Sequence, residues 1–561
     1  MLHVQGPLLS IDVSDRTAET EAIDEVASSF VGGRGVATKL AHDRIPFDAD
    51  PFGPENRLYF STGPLQTSIM SFTGRMNATA LSPLTDGLVS SNAGGFMSRP
   101  FADTGYAAVE ITGESDDLVA VHVTDEGVEF EEVEDLRGAT VSEVGEYMDE
   151  EHDLGDENLA VAGPAGENLV RFAAIITTEH RAFARGGLGA VLGSKNVKCV
   201  SFRGDSRREV DVPDVSMDVH REASTADHVM KETGTVSVLD YANHVEALPT
   251  RYFSELSFEG SAGINADAIS EKKYKKGTCS ACAFACKLPT RDEESGLTTE
   301  GPEFETTMAF GSNAGVDDIR SVMKSNDQCD ELGLDTISCG DVVSAYLQAE
   351  DEFGNEELIE ELVEKIAHRE GVGDTLAEGI DRIHDELGVE NWSVKGMEFA
   401  AHDGRALNGQ GLSFAVANRG ADHMYGEFYS LEYPLVGDDK ALDREGLEGK
   451  PPKLAEKENL NALKDSAVIC KFSRDFVPED RLERLLDEDY ERLQEIGARV
   501  VELERHFNNQ RGMDREDDRL PYDLPDFEAA LDEYYEVRGW NQDGTVPGSR
   551  IEGGGPAPAD D

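Results

Sequence analysis

Apolar positions change their period partway along the chain. From residue 1 to about 205 they alternate in short runs, as in Leu9, Ile11 and Val13, in RLYFSTG, and in LVAVHVTDEGVEFEEV. The last run predicts a hairpin turning at Asp125, Glu126 and Gly127. From about 206 the spacing becomes helical, as in DVVSAYLQAEDEF and in ELIEELVEKIAHRE, where Leu358, Ile359, Leu362, Val363 and Ile366 form one apolar stripe. Further on, RLERLLDEDYERLQEIGARVVELERHF aligns Leu482, Leu485, Leu486, Leu493, Ile496, Val500 and Leu503 on one face. Stripes of this kind are core. The pattern predicts an α+β protein with an N-terminal β-rich domain (1–205) followed by two mainly α-helical domains (206–400 and 401–545). A flexible acidic tail (546–561), rich in Gly, Pro and Asp, closes the chain. A length of 561 residues exceeds what one hydrophobic core normally serves, and no internal repeat is evident.

Chemistry enters with CSACAFAC, which places three of the seven cysteines between Cys279 and Cys286. Its C-x2-C-x3-C spacing lets a tight turn running into a helix aim the thiolates of Cys279, Cys282 and Cys286 at one metal centre. Either a [4Fe-4S] cluster or a structural zinc suits such a set. The cluster is favoured, because no C-x2-C or H-x3-H partner pair follows downstream. Radical enzymes that cleave S-adenosylmethionine use the opposite order, C-x3-C-x2-C. A fourth ligand must come from Cys199, Cys329, Cys339 or Cys470, and spacing does not choose among them.

Three glycine clusters punctuate the β-rich part: GGRG (Gly32 to Gly35), SNAGG (Ser91 to Gly95) and RGGLGAVLG (Arg185 to Gly193). Each alone reads as a tight turn. Together with Arg34, Arg75, Arg181 and Arg185, they predict backbone N–H groups and guanidinium groups gathered around a phosphate-bearing cofactor. A Rossmann site is rejected, since the glycines of the third cluster are spaced G-x-G-x3-G and a strand-like NVKCVSF follows rather than precedes them.

Charge changes the picture of the surroundings. The net charge of -62 comes from 113 acidic against 51 basic residues, and only 18 of the latter are lysine. Acid spread over the whole sequence, with arginine preferred to lysine, predicts the cytoplasm of an extreme halophile, where molar salt shrinks the Debye length to about 3 Å. Nucleic acid and anionic membranes are unfit partners for such a surface. A hydrophobic content of 39% with sustained periodicity argues against disorder. No signal-peptide pattern opens the chain and no apolar run approaches the roughly 20 residues of a membrane span. The expectation is a soluble, intracellular protein.

Five blocks now stand together: GGRGVATKL; SPLTDGLVSSNAGG; GPAGENLVRFAAI leading into RGGLGAVLGSKNVK; the cysteine cluster with EGPEFETTMAFGSN and DELGLDTIS; and RVVELERHFNNQRGMDREDDRLP. In this order they make the chain resemble the tungsten-containing aldehyde:ferredoxin oxidoreductase family over nearly its whole length. The resemblance implies a tungsten (or molybdenum) bis-pyranopterin held through dithiolene sulfurs, beside a [4Fe-4S] cluster. It places the fourth cluster cysteine at Cys470, in DSAVICKF. Pterin and phosphate contacts are implied for Arg75, Asn92, Gly94, Arg181, Ala182, Ala184 and Arg185, and on the helical side for Asp330, Leu334, Asp335, Asp465, Ile469 and Lys471. A Mg2+ ion bridging the pterin phosphates would be held partly by the carbonyls of Asn92 and Ala182. The first pterin motif, DELGLD, is intact, whereas Val468 and Ile469 stand where the second usually has Gly and Leu. Phe183 and Ala184 occupy places where small residues are usual, and Phe304 stands where Tyr can occur.

The activity implied is oxidation of a small-molecule aldehyde to a carboxylic acid. Glu305 in EGPEFET would be the base and His423 in NRGADHMYG would hydrogen-bond the substrate oxygen. Electrons would leave through the cluster to ferredoxin. Lys272, Lys273, Lys275 and Lys276, beside the cluster motif, predict a docking patch for that acidic partner. Dimers are common in the family, so a homodimer is consistent with it. Three alternatives remain: a molybdenum-containing or sugar-phosphate member, a cluster-only electron-transfer or scaffold protein, and a zinc-stabilised structural protein.

Overall fold

The computed structural model describes residues 1–177, 180–433 and 441–552. Its architecture is mixed α+β, with a β-rich N-terminal part followed by helices. Six strands, β1 (Leu8–Asp12), β2 (Thr17–Glu21), β3 (Leu58–Ser61), β4 (Met76–Leu81), β5 (Leu88–Ala93) and β6 (Ala108–Thr112), form one sheet in the order β2-β1-β6-β3-β4-β5. Six more, β7 (Val119–Thr124), β8 (Gly127–Glu132), β9 (Leu159–Ala162), β10 (Ile175–Thr177), β11 (Arg181–Phe183) and β12 (Val197–Arg203), form a second in the order β11-β10-β9-β12-β7-β8. The alternation that predicted strands is buried where it should be: Leu9, Ile11 and Val13 share a core with Val119, Val121 and Val123 of the other sheet. The edge strand β2, TAETE, is exposed along its length and carries charge, which discourages edge-to-edge pairing.

Read strand by strand, the two sheets are the same unit. In each, the first strand pairs antiparallel with the second and parallel with the sixth, which pairs antiparallel with the third, followed by the fourth and fifth. The expectation of no internal repeat is therefore corrected. Little of the repeat survives in the residues, apart from a Gly-Pro turn after the third strand of each unit, STGPL at 61–65 and VAGPA at 161–165. Close approach explains those glycines: a Cβ on Gly63 would lie 2.5 Å from the Ala467 carbonyl oxygen, and one on Gly163 would lie 2.5 Å from that of Leu332.

Those carbonyls belong to the two stretches DELGLD (330–335) and DSAVIC (465–470), each of which ends a long helix. Helix Ile319–Leu332 carries Asp330 in its last turn, and helix Lys450–Ser466 carries Asp465. Both stop in a left-handed residue, Gly333 at φ 79° and Val468 at φ 54°, and both close with a matching bond, Leu334 N–H to Cys329 O and Ile469 N–H to Lys464 O, each 2.8 Å. The departure at Val468 thus places a β-branched residue where glycine is unstrained. Its backbone keeps the turn all the same. One sheet unit backs one motif and its counterpart backs the other.

The helical stripes pack as predicted, with Ile359, Leu362, Val363 and Ile366 buried in helix Glu356–His368. The second long stripe splits into helices Glu479–Leu486 and Tyr490–Gln510 at Asp487, which has φ 51°. The packed chain also runs past 545, because Val546 is buried and Gly548–Glu552 is helical, with Arg550 paired to Glu502. Residues 553–561 of the expected tail lie outside the described residues. Among those described, no helix is long and apolar enough to cross a membrane.

Of the 18 lysines, Lys195, Lys198, Lys287, Lys450, Lys464 and Lys471 are buried, so the surface is poorer in lysine than the sequence. Unbalanced acidic charge on that surface repels itself unless screened. The fold is expected to melt at progressively lower temperature as salt falls below a few tenths molar, where the Debye length passes about 5 Å. A circular dichroism melt with the same midpoint in dilute buffer and in molar salt would contradict the halophilic reading.

Candidate functional site

Between the sheets and the helices lies a cavity of about 540 Å³. Strands β5 and β11, equivalent in the two sheet units, deliver Asn92 and the Arg181–Arg185 stretch to one side of it. The two motif turns deliver Asp330, Leu334 and Asp335, and Asp465, Ile469 and Lys471, to the other. Arg75, Gly94, Ala182 and Ala184 line it as well. Every position that the family resemblance implied for pterin and phosphate contact therefore lines one cavity.

Fixed hydrogen bonds hold these groups. Arg75 Nη2 donates to the Asn92 carbonyl at 2.7 Å, and Asn92 Nδ2 donates to Asp465 Oδ1 at 2.8 Å. Lys471 Nζ lies 3.1 Å from the same oxygen. Arg185 Nε lies 3.1 Å from Asp335 Oδ2, and its Nη2 donates to the Glu398 carbonyl at 2.6 Å. Asp335 also caps helix Thr336–Glu350 through the N–H groups of Ile337 and Ser338. Arg181 pairs with Glu300 and Glu303, whereas burial pushes the Asp330 carboxyl up to about 7.

Four thiols meet at an edge of this cavity. Cys279, Cys282, Cys286 and Cys470 all line a small apolar space walled by Phe72, Phe284 and Phe472. Burial raises the thiols of Cys282, Cys286 and Cys470 above their ordinary value, with the neighbouring sulfurs adding to the shift. Cys279 Sγ accepts from the Gly95 N–H at 3.3 Å, a contact of the kind that tunes a bound metal. The other three cysteines are elsewhere: Cys199 is buried beside helix Val141–His152, and Cys329 and Cys339 face each other in the helical core.

Glu305 and His423 also face the cavity, with His423 Nε2 3.2 Å from Glu305 Oε1. Glu305 sits on the short helix Phe304–Thr307, which runs into a π-helical turn, Met308–Ser312, an irregularity frequent at functional sites. Its Oε2 accepts from the Ala401 N–H at 2.7 Å, which leaves Oε1 toward the cavity. Asp422, paired with Arg419, caps the turn that presents His423 by accepting from the N–H groups of Met424 and Tyr425. His402 was not foreseen. Its Nε2 is 3.6 Å from Glu305 Oε1, its ring stacks on Tyr429 at 3.7 Å, and burial pushes its imidazole well below the ordinary value, so it stays neutral.

Models of the aldehyde ferredoxin oxidoreductase N-terminal domain and of its domains 2 and 3 match residues 8–204 and 214–553. The chain belongs to the aldehyde ferredoxin oxidoreductase family. It is 33% identical to a tungsten-containing aldehyde ferredoxin oxidoreductase of Pyrococcus abyssi over 98% of this chain and 99% of that protein. It is 32% identical to another of the same description from Thermococcus kodakarensis, over 98% of each. Among solved structures, the active-site complex BamBC of benzoyl coenzyme A reductase with 1,5-dienoyl-CoA superimposes with a TM-score of 0.82 at 22% identity, covering 98% of this chain and 96% of that one. At that identity the likeness is one of fold.

The Pyrococcus abyssi and Thermococcus kodakarensis relatives are described as tungsten-containing, and this cavity's own chemistry fits an anionic, polar cofactor. Arg185 Nη1, Arg181 Nε, Arg419 Nε and His423 Nδ1 are buried without a hydrogen-bond partner among the described residues, a costly state that a phosphate- and pterin-like ligand would relieve. Three expectations change. Arg34 does not reach the cavity: it donates twice to Glu504, at 2.8 and 2.7 Å, once to Asp465 at 3.2 Å, and stacks 3.6 Å from the Tyr425 ring centroid. Breaking such a buried pair costs about 3–5 kcal/mol, so Arg34 braces the Asp465 turn. Phe183 turns into the sheet core against Phe60, because strand alternation sends it opposite Ala182 and Ala184. Of the four lysines, Lys272 pairs with Asp292 and Lys273 donates to the carbonyls of Lys231 and Glu232, which leaves Lys275, its ammonium 5.5 Å from the Tyr274 ring centroid, and Lys276 exposed and without an ion pair among the described residues.

Proposed function

We propose that this protein oxidises an aldehyde with water to the carboxylic acid at a tungsten bis-pyranopterin, and passes two electrons through a [4Fe-4S] cluster to ferredoxin. The observation that carries the reading is the meeting of Glu305 and His423 in one cavity with both pterin motifs and the cluster thiols. Arg75, Asn92, Gly94, Arg181, Ala182, Ala184 and Arg185 would hold the pterins from the sheet side, and Asp330, Leu334, Asp335, Asp465, Ile469 and Lys471 from the helical side. Mg2+ would join the phosphates at the carbonyls of Asn92 and Ala182. Cys279, Cys282, Cys286 and Cys470 would ligate the cluster.

RCHO and H2O yield RCOOH, two protons and two electrons. When bound, the metallopterin supplies the two-electron sink and the cluster an exit for single electrons. Glu305 Oε1 takes a proton from the attacking water, while the Ala401 N–H holds the other carboxylate oxygen in place. His423 Nε2, beside it, donates to the substrate oxygen as charge develops there. His402, neutral behind Glu305, adds no cation that would compete for that carboxylate. Phe304 and Tyr429, both buried, wall off bulk water. A cluster-only scaffold has no use for a cavity lined with unsatisfied arginine N–H groups.

The test is to mix oxidised holoenzyme with aliphatic and aromatic aldehydes without oxygen and follow the visible absorbance of the cluster. Bleaching that depends on aldehyde supports the reading, and tungsten-loaded protein that no aldehyde bleaches overturns it. A Lys275→Glu/Lys276→Glu variant is expected to reduce ferredoxin more slowly, with turnover on a small neutral dye unchanged. Equal losses with both acceptors would mean that the segment supports the cluster rather than the partner.

A further inference from the structure

Away from the cavity, the second sheet brings two histidines and a glutamate together. His122 on β7 and Glu131 on β8 lie diagonally across the hairpin on one face, in the register that pairs His122 with Glu129 and Ala120 with Glu131. His152, the last residue of helix Val141–His152, closes over them. His122 Nε2 is 3.2 Å from Glu131 Oε2, His152 Nε2 is 2.9 Å from the same oxygen, and all three atoms lie within 4.8 Å of one another.

We propose that His122, Glu131 and His152 form a binding site for a zinc-type divalent cation. Bonds of about 2.0–2.2 Å at tetrahedral angles hold ligand atoms about 3.3–3.6 Å apart, close to the spacing already present. Two imidazole nitrogens and one carboxylate oxygen suit zinc better than magnesium or calcium, which prefer all-oxygen shells. The remote atoms of the ligands are engaged in the way that orients metal ligands: His122 Nδ1 lies 2.8 Å from Ser201 Oγ, and Tyr147 OH donates to Glu131 Oε1 at 2.7 Å. A second observation points to a ligand. His152 Nε2 is buried and, despite its proximity to Glu131, lacks the geometry of a hydrogen bond to any described group. Three protein donors leave a fourth position for water, and because none of the three lines the catalytic cavity, the cation would pin helix to hairpin.

Equilibrium dialysis of the holoenzyme against Zn2+ in excess Mg2+, with metal counted by mass spectrometry, tests the site. The expected result is one zinc per chain beyond the cofactor metals, with affinity reduced about 100-fold or more in His152→Gln and in His122→Gln. Both variants should keep aldehyde-driven bleaching, which shows that they fold. Absence of stoichiometric zinc in the unaltered protein, or affinity unchanged in both variants as for diffuse binding to an acidic surface, would overturn the proposal.

Discussion

Cys470→Ser is expected to lose its iron–sulfur cluster, whereas Cys329→Ser and Cys339→Ser keep about four irons per chain. Cys470 follows the left-handed turn at Val468, and its N–H is tied to the Phe72 carbonyl at 2.8 Å, which fixes its side chain toward the cavity shared with Cys279, Cys282 and Cys286. A buried centre bound by three thiolates in an apolar space has no exposed group to replace the fourth. Cys329 and Cys339 sit in the helical core, so the smaller serine there removes only modest packing. Iron and acid-labile sulfide in the three single variants decide the point. Full cluster content in Cys470→Ser would mean that another ligand completes the set.

Glu305→Gln is expected to retain tungsten, pterin and cluster but to lose aldehyde oxidation. Glutamine is nearly isosteric and can still accept from the Ala401 N–H, so the pocket should survive. It cannot take a proton. General-base contributions run about 100- to 10,000-fold, so kcat should fall by at least the lower figure. His423→Asn should fall less, since it removes polarisation of the substrate oxygen and leaves the carboxylate. Following cluster bleaching after mixing with aldehyde isolates this step from ferredoxin docking. Bleaching at the unaltered rate in a tungsten-loaded Glu305→Gln protein would make Glu305 a structural residue.

Motifs and periodicity carried much of this in the sequence, because a metal cluster demands fixed cysteine spacing and a helix demands a 3.6-residue stripe. Cys279, Cys282 and Cys286, and the stripe from Ile359 to Ile366, are legible for that reason. Other features were hidden because they depend on partners distant in the chain. His402 has no motif of its own and matters through a 3.6 Å approach to Glu305 and a stack on Tyr429. Arg34 looked free beside a glycine turn until Glu504, far downstream, occupied it. Phe183 sits on a strand of only three residues, too short for alternation to reveal which way it faces. The sheet repeat is preserved in strand order and in the close contacts of Gly63 and Gly163, where backbone geometry constrains the residue. Its other side chains differ between the two units.

The most direct test of the proposed function is elemental: tungsten, molybdenum, iron, zinc and phosphorus per chain in protein purified without oxygen and in molar salt. A bis-pyranopterin enzyme should carry one tungsten, two pterin phosphates and about four irons. Protein with neither tungsten nor molybdenum and no pterin phosphorus, its cysteines holding zinc in place of iron, would contradict it.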